Sequence, residues 1–498
     1  MRILIIGSGL AGINAALLAS EFADVKLLSK SALEETNTQR AQGGIAAAVT
    51  ALDDPAIHAA DTIRAGAGLC DPIAVETLTA DGAAAIQRLL NLGVEFDRDP
   101  DGQLALANEG AHSTPRVLHA GGDQTGLHIQ SALSRRLSEA NVDVRTDVAV
   151  TDLAIEAGRC IGATTDDRET FLADAVILAT GGAGALYRTT TNPANATGDG
   201  VALAFRAGAL VRDLEFVQFH PTALVSDGSA FLISEALRGD GAVLLDSAGD
   251  RFMPRVHPDA ELAPRSVVAQ AITEAMRRTG ANHVMLDISH RDPDYLRHRF
   301  PGVYRGALER GHDLTAGPIP VAPAAHYHMG GVYTDIDGRT TVQGLFAAGE
   351  SASTGAHGAN RVASNSLLEA AVFSTRAVEA IRRNVESAVV PCVDVQATHW
   401  HRESAAPSWD VLRSTMNDFV GITRTADRLQ TAVDRFEEWS ESDDASADPS
   451  LPLATLTARL IAEAALQRTE TRGAHLRLEH PLTNETWQRH SYWQLARE

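Results

Sequence analysis

Apolar runs and glycines near the start of the chain predict a strand, a helix and a second strand. Residues 3–6 form a short β-branched run that favours a strand, and the residues up to Ala19 follow a helical pattern. Residues 25–28 form a second strand-like run. The sequence GSGLAG, at positions 7–12, stands between the first strand and the helix. Because it opens the helix of a strand–helix–strand unit, this G-x-G-x-x-G spacing predicts a nucleotide-binding turn.

Each glycine of this turn has its own expected task. Gly7 permits the tight turn, Gly9 lets the backbone approach a pyrophosphate, and Gly12 lets the helix and the strand pack closely. We expect the anion at the N-terminus of the helix, where backbone N–H groups point towards it. The second strand ends in Ser29 and Lys30, where a nicotinamide-binding fold usually carries an acidic residue for the ribose hydroxyls. This difference disfavours NAD but does not by itself choose a cofactor.

Two later segments repeat the pattern of a buried strand that runs into glycine. Residues 175–179 lead into Thr180 and two glycines, and residues 344–348 lead into Gly349 and Glu350. The carboxyl ends of parallel strands meet at one edge of a sheet, where ligands bind. The sequence therefore predicts an α/β fold with a discontinuous Rossmann-like domain over residues 1–213 and 328–397, interrupted by an inserted domain at 214–327.

The last hundred residues have a helical pattern. Residues 409–436 carry apolar side chains at helical spacing, and residues 451–465 resume the pattern. The acidic, serine-rich stretch between them, residues 437–450, predicts a solvated loop. We expect a helical bundle over residues 398–498, preceded by a linker around 398–408.

Charge and hydropathy exclude several classes of protein. The 43 basic residues and 64 acidic residues give a net charge of −21, which repels nucleic acid and anionic membrane surfaces, so no nucleic-acid partner is expected. No stretch of 18 uninterrupted apolar residues occurs, so we expect no membrane span. Three glycines interrupt the first apolar run at fixed spacing, which disfavours a signal peptide.

Cysteine and lysine are both scarce. The 3 cysteines, Cys70, Cys160 and Cys392, have no C-x-x-C spacing, so neither a disulfide framework nor a clustered metal site is expected. They are interpreted as inert core thiols in a reducing, cytoplasmic environment. Lysine occurs only as Lys26 and Lys30, which leaves pyridoxal phosphate chemistry only these two candidates for a Schiff base.

A set of ordered motifs resembles those of the succinate dehydrogenase and fumarate reductase flavoprotein family, and most closely the branch that oxidises L-aspartate. The motifs are GSGLAG (7–12), NTQRAQGG (37–44), EGAHS (109–113), HAGGDQTG (119–126), EFVQFHPT (215–222), APRS (263–266), HYHMGG (326–331) and HGANRVASNSLLEA (357–370). The resemblance includes GITRTADRL (421–429) and covers nearly the whole chain. It implies an FAD-binding domain, an inserted α+β capping domain and a C-terminal helical domain.

FAD is the cofactor that the resemblance implies. Its expected contacts are Gly7, Ser8, Gly9, Leu10, Ala11, Gly12, Lys30, Asn37, Thr38, Gln42, Gly43, Gly44, Asp199, Glu350, Ser366 and Leu367. Covalent members of the family carry a flavin-linked histidine at the position of Asn37, and an amide cannot replace imidazole there. We therefore expect non-covalent FAD. Ser366 and Leu367 are expected to begin a helix whose dipole favours negative charge near flavin N1.

The resemblance assigns the substrate to Glu109, Gln218, His220, Arg265, His326 and Arg361. A four-carbon dicarboxylate needs cationic groups or hydrogen-bond donors at both ends, and arginine supplies bidentate geometry. Arg361 with His326 can hold one carboxylate, and His220 the other. Glu109 can pair with the α-ammonium that distinguishes aspartate from succinate. Arg265 is expected to mediate proton transfer while hydride goes to flavin N5, gated by closure of the inserted domain.

Several side chains have competing interpretations. His220 and His326 could be structural histidines, although the motifs favour a site. His326 and His328 could form a metal pair, but two ligands without a third nearby disfavour it, and no metal is expected. His112 and His119 stay undecided. Arg116 is interpreted as a surface or interdomain charge.

The expected activity is the oxidation of L-aspartate to iminoaspartate for NAD biosynthesis, with oxygen or fumarate as electron acceptor and functional coupling to quinolinate synthase. One alternative is a fumarate reductase or succinate dehydrogenase flavoprotein subunit that passes electrons to an iron–sulfur partner. Another is a flavin-folded binding protein without turnover. All three follow from the resemblance, and Asn37 favours the first.

Overall fold

A five-stranded parallel sheet, here the nucleotide sheet, forms the centre of the N-terminal part. The computed structural model describes residues 1–226, 229–384, 391, 393–400, 406–440 and 448–496. The nucleotide sheet has the strand order Leu345–Ala347, Ala175–Leu178, Arg2–Ile6, Asp24–Leu28 and Val142–Arg145. The two later strand–glycine segments therefore lie beside the first strand, as the sequence predicts.

Both faces of the nucleotide sheet are covered, which explains why its strands are almost wholly apolar. Ile3 and Ile5 point into one core cluster, and Leu4 and Ile6 point into the other. This alternation is the geometry of a strand buried on both sides. On the first face pack the helices Leu10–Ala19, Thr125–Glu139 and Asn365–Arg382. An antiparallel sheet lies beside strand Ala175–Leu178, with the strands Val150–Glu156, Arg159–Thr165 and Thr170–Leu172.

A second, antiparallel sheet, here the cap sheet, belongs to the inserted segment. Its strands, in order, are Ser229–Leu232, Val217–Ser226, Ile319–His328, Val284–Asp287 and Val243–Leu245. The helices of this segment are Glu235–Gly239, Arg265–Thr279, Pro293–Arg299 and Pro301–Leu308. Together they enclose a separate hydrophobic core. The α/β fold with an inserted α+β unit is thus confirmed.

Three helices follow in the C-terminal part: Trp409–Phe419, Ala426–Ser440 and Leu451–Gln467. The helical pattern predicted over residues 409–436 is interrupted, because Arg424 is fully buried and donates to the carbonyl oxygens of Gly421 and Glu215. The predicted loop at 437–450 is wrong at its start, where the helix continues to Ser440; residues 441–447 lie outside the described residues.

The last residues that the structure describes are not helical. Strand Tyr492–Leu495 pairs with Val211–Arg212 on one side and with Val395–Thr398 on the other. These three strands complete a five-stranded sheet with Gly331–Tyr333 and Ala352–Ser353. Local periodicity could not indicate this strand, because its partners are more than ninety residues away in sequence.

Short elements connect these layers. The remaining helices are Asn37–Arg40, Pro55–Ala65, Pro72–Ala80, Gly82–Asn91 and Asp199–Arg206, with 3₁₀ turns at Gly184–Leu186, Met253–Arg255, Ala260–Leu262, Gly349–Ser351 and Glu485–Trp487. The remaining strands are Ile45–Ala46, Leu106–Ala107, Val117–Leu118, Thr423–Arg424 and Leu476–Arg477. In the described part of the chain, no helix is both long enough and apolar enough to span a bilayer.

Two of the cysteines lie in the described structure. Burial raises the pKa of the Cys70 thiol to about 12 and that of Cys160 to about 11, so both are neutral thiols. This protonation state agrees with the expected inert role. Cys392 lies outside the described residues.

A buried ionic cluster joins the start of the cap sheet to the C-terminal part. Glu215 is completely buried and accepts from Arg468 Nε at 2.5 Å and from Ser491 Oγ at 2.8 Å. Arg468 also donates to Glu470, which in turn accepts from Arg472. The charges of this cluster compensate one another, so the loss of one leaves a buried neighbour with less counter-charge.

Replacing Glu215 by Ala should destabilise the protein by about 3–5 kcal/mol, because Arg468 would stay buried without its main counter-ion. Chemical denaturation followed by tryptophan fluorescence measures this as a lower midpoint. Glu274→Ala is the control, since Glu274 pairs with Arg277 at the surface and its loss should move the midpoint little. Equal shifts for the two variants would show that the Glu215 cluster contributes no special stability.

Candidate active site

One cavity lies between the carboxyl ends of the nucleotide sheet and the cap sheet. It encloses about 1640 Å³ of empty space, including its open mouth. All of the predicted site residues line this cavity except Gly12 and Gln218. The folded chain therefore brings together side chains that are up to 360 residues apart in sequence.

Two glycines of the nucleotide-binding turn stand where no side chain fits. A Cβ atom on Gly7, which has φ +115°, would lie 2.1 Å from the carbonyl oxygen of Ala179. A Cβ on Gly12 would lie 1.9 Å from the carbonyl oxygen of Gly7, so Gly12 allows close packing instead of lining the cavity. Gly9 immediately precedes the helix Leu10–Ala19. This bare helix N-terminus fits the pyrophosphate of a dinucleotide.

Unpaired amide oxygens line the same cavity further along. Asn37 Oδ1 and Gln42 Oε1 are buried and have no hydrogen-bond partner among the described residues. Buried polar atoms normally have partners, so these two acceptors fit a ligand that supplies donors. Together with the glycine turn they fit the FAD that the resemblance implies. Lys30 and Asp199, which are paired at 2.8 Å, provide charged groups beside the glycine turn.

Glu350 is a partly buried carboxyl in the wall of the cavity. Its Oε2 accepts from Asn37 Nδ2 at 2.9 Å, and its Oε1 accepts from the backbone N–H of His328 at 3.0 Å. Burial raises the pKa of Glu350 to about 7, against the opposing effect of these hydrogen bonds. Ser366 and Leu367 lie in the first turn of the helix Asn365–Arg382, as expected, so the N-terminus of this helix faces the cavity.

Two arginines meet at one amide oxygen. Arg265 and Arg361 both donate to Gln218 Oε1, each at 3.3 Å. The orientation of this amide is fixed, because Gln218 Nε2 donates to Asn360 Oδ1 and to the carbonyl oxygen of Arg361. Gln218 therefore positions the two guanidinium groups from behind the cavity wall.

Arg361 is held on one side and unpaired on the other. It donates to Ser366 Oγ at 3.0 Å and lies over the ring of Tyr327, 4.7 Å from the ring centre. Its Nε is buried without a hydrogen-bond partner in the described structure. Burial, followed by the charge of Arg265, lowers the pKa of Arg361 to about 10, so it is still a cation near neutral pH. A carboxylate is the natural partner for this group.

The two site histidines are neutral. Their rings lie 5.1 Å apart, and Thr191 Oγ1 is 2.8 Å from His326 Nδ1. Burial and the charge of Arg265 lower the pKa of both His220 and His326 well below 6.5. They can donate or accept hydrogen bonds to a substrate without adding charge. Thr191 was not predicted from the sequence.

Glu235 is a second residue that sequence reasoning missed. Its Oε2 accepts from Arg265 Nε at 2.5 Å and lies 3.6 Å from Arg238. Burial alone would raise the pKa of Glu235, but Arg265 and Arg238 outweigh that effect and hold it at about 2. The only signal in the sequence was the E-x-x-R spacing of Glu235 and Arg238, which is also common on exposed helices.

Glu109 occupies another wall of the cavity. Its Oε2 accepts from Ser364 Oγ at 2.6 Å, and its Oε1 lies 3.5 Å from His119 Nε2. Burial lowers the pKa of His119, which favours the neutral ring. His112 supports the neighbouring backbone, since its Nε2 contacts the carbonyl oxygen of Ala363 at 3.0 Å. Both previously undecided histidines thus pack behind the site.

The expectation that Arg116 is a surface or interdomain charge is wrong. The side chain is completely buried and pairs with Asp53 at 2.8 Å and with Asp61 at 2.6 Å. Arg116 Nη1 also lies 3.0 Å from His112 Nδ1. Two carboxylates compensate the buried guanidinium, so the cluster can brace the turn that carries Glu109.

His326 and His328 do not form a pair of ligands. His328 Nε2 lies 3.0 Å from the carbonyl oxygen of Leu214, whereas His326 lines the cavity. Among the residues that the structure describes, no group of three or more His, Cys, Asp or Glu side chains could hold a metal ion.

The raised pKa of Glu350 predicts a pH-dependent stability. Its carboxyl has a pKa of about 7 in the folded protein and the ordinary value of 4.5 when unfolded. The folded state therefore binds the extra proton, and stability of roughly 3 kcal/mol is lost as the pH rises from 4.5 to 7. Thermal midpoints of the ligand-free protein at pH 5 and pH 7.5 measure this loss. Glu350→Gln should reduce it, and parallel pH profiles for the two proteins would refute the assignment.

Comparisons with known proteins agree with this site. A family model described as "FAD binding domain" matches residues 2–367, and one described as "Fumarate reductase flavoprotein C-term" matches residues 450–498. The chain is 42% identical to the L-aspartate oxidase of Streptomyces coelicolor, with 98% of this chain and 90% of that protein covered. It is also 42% identical to the L-aspartate oxidase of Synechocystis sp., with 98% and 96% covered.

A solved structure is similar over almost the same length. The E. coli quinol fumarate reductase flavoprotein superposes with a TM-score of 0.87 at 30% identity, covering 99% of this chain and 94% of that one. Sequence and structure therefore lead to the same family, and FAD is its cofactor. The chain belongs to the L-aspartate oxidases within the succinate dehydrogenase and fumarate reductase flavoprotein family.

Proposed function

We propose that the protein oxidises L-aspartate to iminoaspartate. The observation that carries this proposal is the distribution of charge in one cavity, where Arg265 and Arg361 face it together with the carboxylate of Glu109. A dicarboxylate with one ammonium group is complementary to this set. FAD supplies the hydride acceptor when it is bound.

The two ends of the substrate meet different groups. Arg361, whose Nε has no partner in the described structure, and neutral His326 can hold one carboxylate. His220 donates towards the other carboxylate from the cap sheet. The cap is proposed to be residues 214–327, between an FAD-binding part at 1–213 and 328–397 and a helical part at 398–498. Closure of the cap would bring its donors onto a substrate already held by Arg361.

Glu109 is proposed to distinguish L-aspartate from succinate. A buried carboxylate beside a bound dicarboxylate is repulsive unless a cation lies between them. The α-ammonium group of L-aspartate is such a cation, and succinate has none. Glu109 is therefore proposed to favour the amino acid over the simple dicarboxylate.

Arg265 is proposed to move the proton that accompanies hydride transfer. An arginine side chain normally has a pKa above 12 and is a poor base on its own. Here Arg265 Nε donates to the ionised Glu235, and Arg238 lies on the far side of that carboxylate. As Arg265 takes the substrate proton at one nitrogen, it can pass its Nε proton to the ionised Glu235, which becomes a neutral carboxyl, so the guanidinium never carries an extra proton. The missed residue thus makes the predicted role of Arg265 chemically feasible.

The alternative function is fumarate reduction or succinate oxidation. The similarity to the E. coli quinol fumarate reductase over 99% of the chain favours it. Asn37 in place of the histidine of covalent members, and Glu109 in the substrate wall, favour the amino acid oxidase. A binding protein without turnover would leave the buried Arg265–Glu235–Arg238 arrangement without a use.

The electron acceptor, the next enzyme and the location in the cell are proposed from the family resemblance alone. Oxygen or fumarate would reoxidise the flavin, and quinolinate synthase would consume the unstable imine in NAD biosynthesis. We place these steps in the cytoplasm.

The purified protein with FAD should form hydrogen peroxide and oxaloacetate from L-aspartate in air, because the imine hydrolyses when nothing consumes it. Coupled peroxidase and malate dehydrogenase assays measure the two products. Succinate oxidation without L-aspartate oxidation would support the alternative function instead.

Replacing Arg265 by Leu should lower kcat by at least about 100-fold, the usual size of a general acid–base contribution, while FAD stays bound. Absorbance of the flavin checks binding, and turnover of L-aspartate checks catalysis. Arg277→Leu, at an exposed position on the same helix, is the matched control and should keep normal turnover. Wild-type turnover in Arg265→Leu would remove this residue from the reaction.

The flavin should be released by acid, because Asn37 offers no imidazole for a covalent bond. Precipitation of the yellow protein with trichloroacetic acid should leave the colour in the supernatant and a colourless pellet. Flavin fluorescence retained on the denatured polypeptide would contradict non-covalent binding.

A further inference from the structure

A single hydroxyl fixes the carboxylate that faces the substrate. Ser364 Oγ donates to Glu109 Oε2 at 2.6 Å, a short, charge-assisted hydrogen bond. The other oxygen, Oε1, is buried and has no hydrogen-bond partner among the described residues; the ring of His119 lies 3.5 Å away. The carboxylate is thus held at one oxygen and open at the other.

The backbone of Ser364 has an unusual conformation. Its φ is +64°, in the left-handed region that a residue with a Cβ adopts only at a cost in conformational free energy. Ser364 is also the residue immediately before the helix Asn365–Arg382, a position where serine commonly caps the helix. Its hydroxyl makes no such cap, because it is committed to Glu109. Helix capping therefore does not account for the hydroxyl.

The surrounding structure holds this conformation in place from both sides. The carbonyl oxygen of Ser364 accepts from the N–H of Ala46 at 3.0 Å. The preceding carbonyl, of Ala363, is contacted by His112, and the side chain of Asn365 contacts His58 at 2.8 Å. Residues with a strained backbone that their surroundings hold in place cluster at functional sites. Here the hydrogen bonds around Ser364 orient its hydroxyl towards Glu109.

Glu109 and Ser364 form one wall of the cavity. Both line it, and Gly43 stands opposite them, where a Cβ would lie 3.7 Å from Ser364 Oγ and 3.8 Å from Glu109 Oε1. A side chain at Gly43 would occupy the space beside this buried oxygen, and glycine leaves that space free. Arg361, three residues before Ser364 in the same segment, holds the neighbouring region of the substrate site. The distance between the two recognition groups is therefore set by one short stretch of backbone.

We propose that Ser364 is a specificity-determining positioning residue, whose hydroxyl orients Glu109 so that its free oxygen meets the α-ammonium of an amino dicarboxylate. This inference rests on the proposed function, since only an ammonium-bearing substrate uses that oxygen. Without the hydroxyl, Glu109 can turn away from the ammonium position. Binding of a dicarboxylate that lacks the ammonium gains nothing from Ser364 and should not weaken.

The test compares Ser364→Gly with Ser364→Ala in the FAD-loaded protein. Both remove the hydroxyl, whereas only glycine adopts the left-handed backbone freely, so Ser364→Ala should have the lower thermal midpoint. Each variant should raise the KM for L-aspartate about tenfold, the scale of one hydrogen bond to a charged group, with a smaller change in kcat. The inhibition constant of succinate should stay within about twofold of the wild-type value or become tighter.

A second measurement distinguishes a loss of Glu109 orientation from a general disturbance of the folded protein. In a Glu109→Gln background, Ser364→Gly should no longer change the ratio between L-aspartate KM and the succinate inhibition constant, because the group that it orients is gone. If the single variants leave the ratio of the L-aspartate KM to the succinate inhibition constant unchanged, the inference is wrong. Equal weakening of both ligands is one such result, and it would indicate a structural role only.

The same experiment keeps the two proposals apart. A wild-type protein that makes no oxaloacetate from L-aspartate would refute the proposed function, and with it the ammonium that Ser364 is proposed to serve. An active wild type with Ser364 variants that keep its KM for L-aspartate would refute the Ser364 inference alone.

Discussion

The close approach of two guanidinium groups is the constraint on which the site depends. Arg265 and Arg361 contact the same amide oxygen of Gln218, in surroundings where like charges repel more strongly than in water. Burial, together with the charge of Arg265, suppresses protonation of His220 and His326, while Arg265 and Arg238 keep Glu235 ionised. Their positive charge favours a ligand with two carboxylates in this cavity, so the two arginines bear both on the class of substrate and on the protonation states of the neighbours.

The fold supplies the two arginines from different parts of the chain. Arg265 begins a helix of the inserted segment, and Arg361 precedes the helix Asn365–Arg382 that packs on the nucleotide sheet. Gln218, on a cap strand, bonds to both. The site is therefore complete only where the two parts meet. This location places the predicted cofactor and substrate residues around one continuous cavity.

Behind the site, buried polar clusters hold the backbone that presents it. Tyr327, which lies under Arg361, donates to Glu369, and Glu369 is also bonded to His357 and Thr354. On the other side, Arg116 is bonded to Asp61 and contacts His112. Buried charges of this kind are costly unless paired, and two of these bonds, Tyr327 to Glu369 and Arg116 to Asp61, connect segments distant in sequence. Their main effect is to hold the backbone around the site in one position, because a buried ion pair adds little to the free energy of unfolding.

The sequence by itself determined the nucleotide-binding turn, the parallel strands that lead into glycine and the family, because these depend on local spacing and on long ordered motifs. It also indicated Arg265 and Arg361 as site residues. Only the tertiary structure decided that Arg116 is buried, that Glu235 stands behind Arg265 and that Ser364 holds Glu109. The physical reason is that burial, charge compensation and hydrogen bonding are properties of neighbours in space, and these neighbours are separated by 30 to 255 residues along the chain.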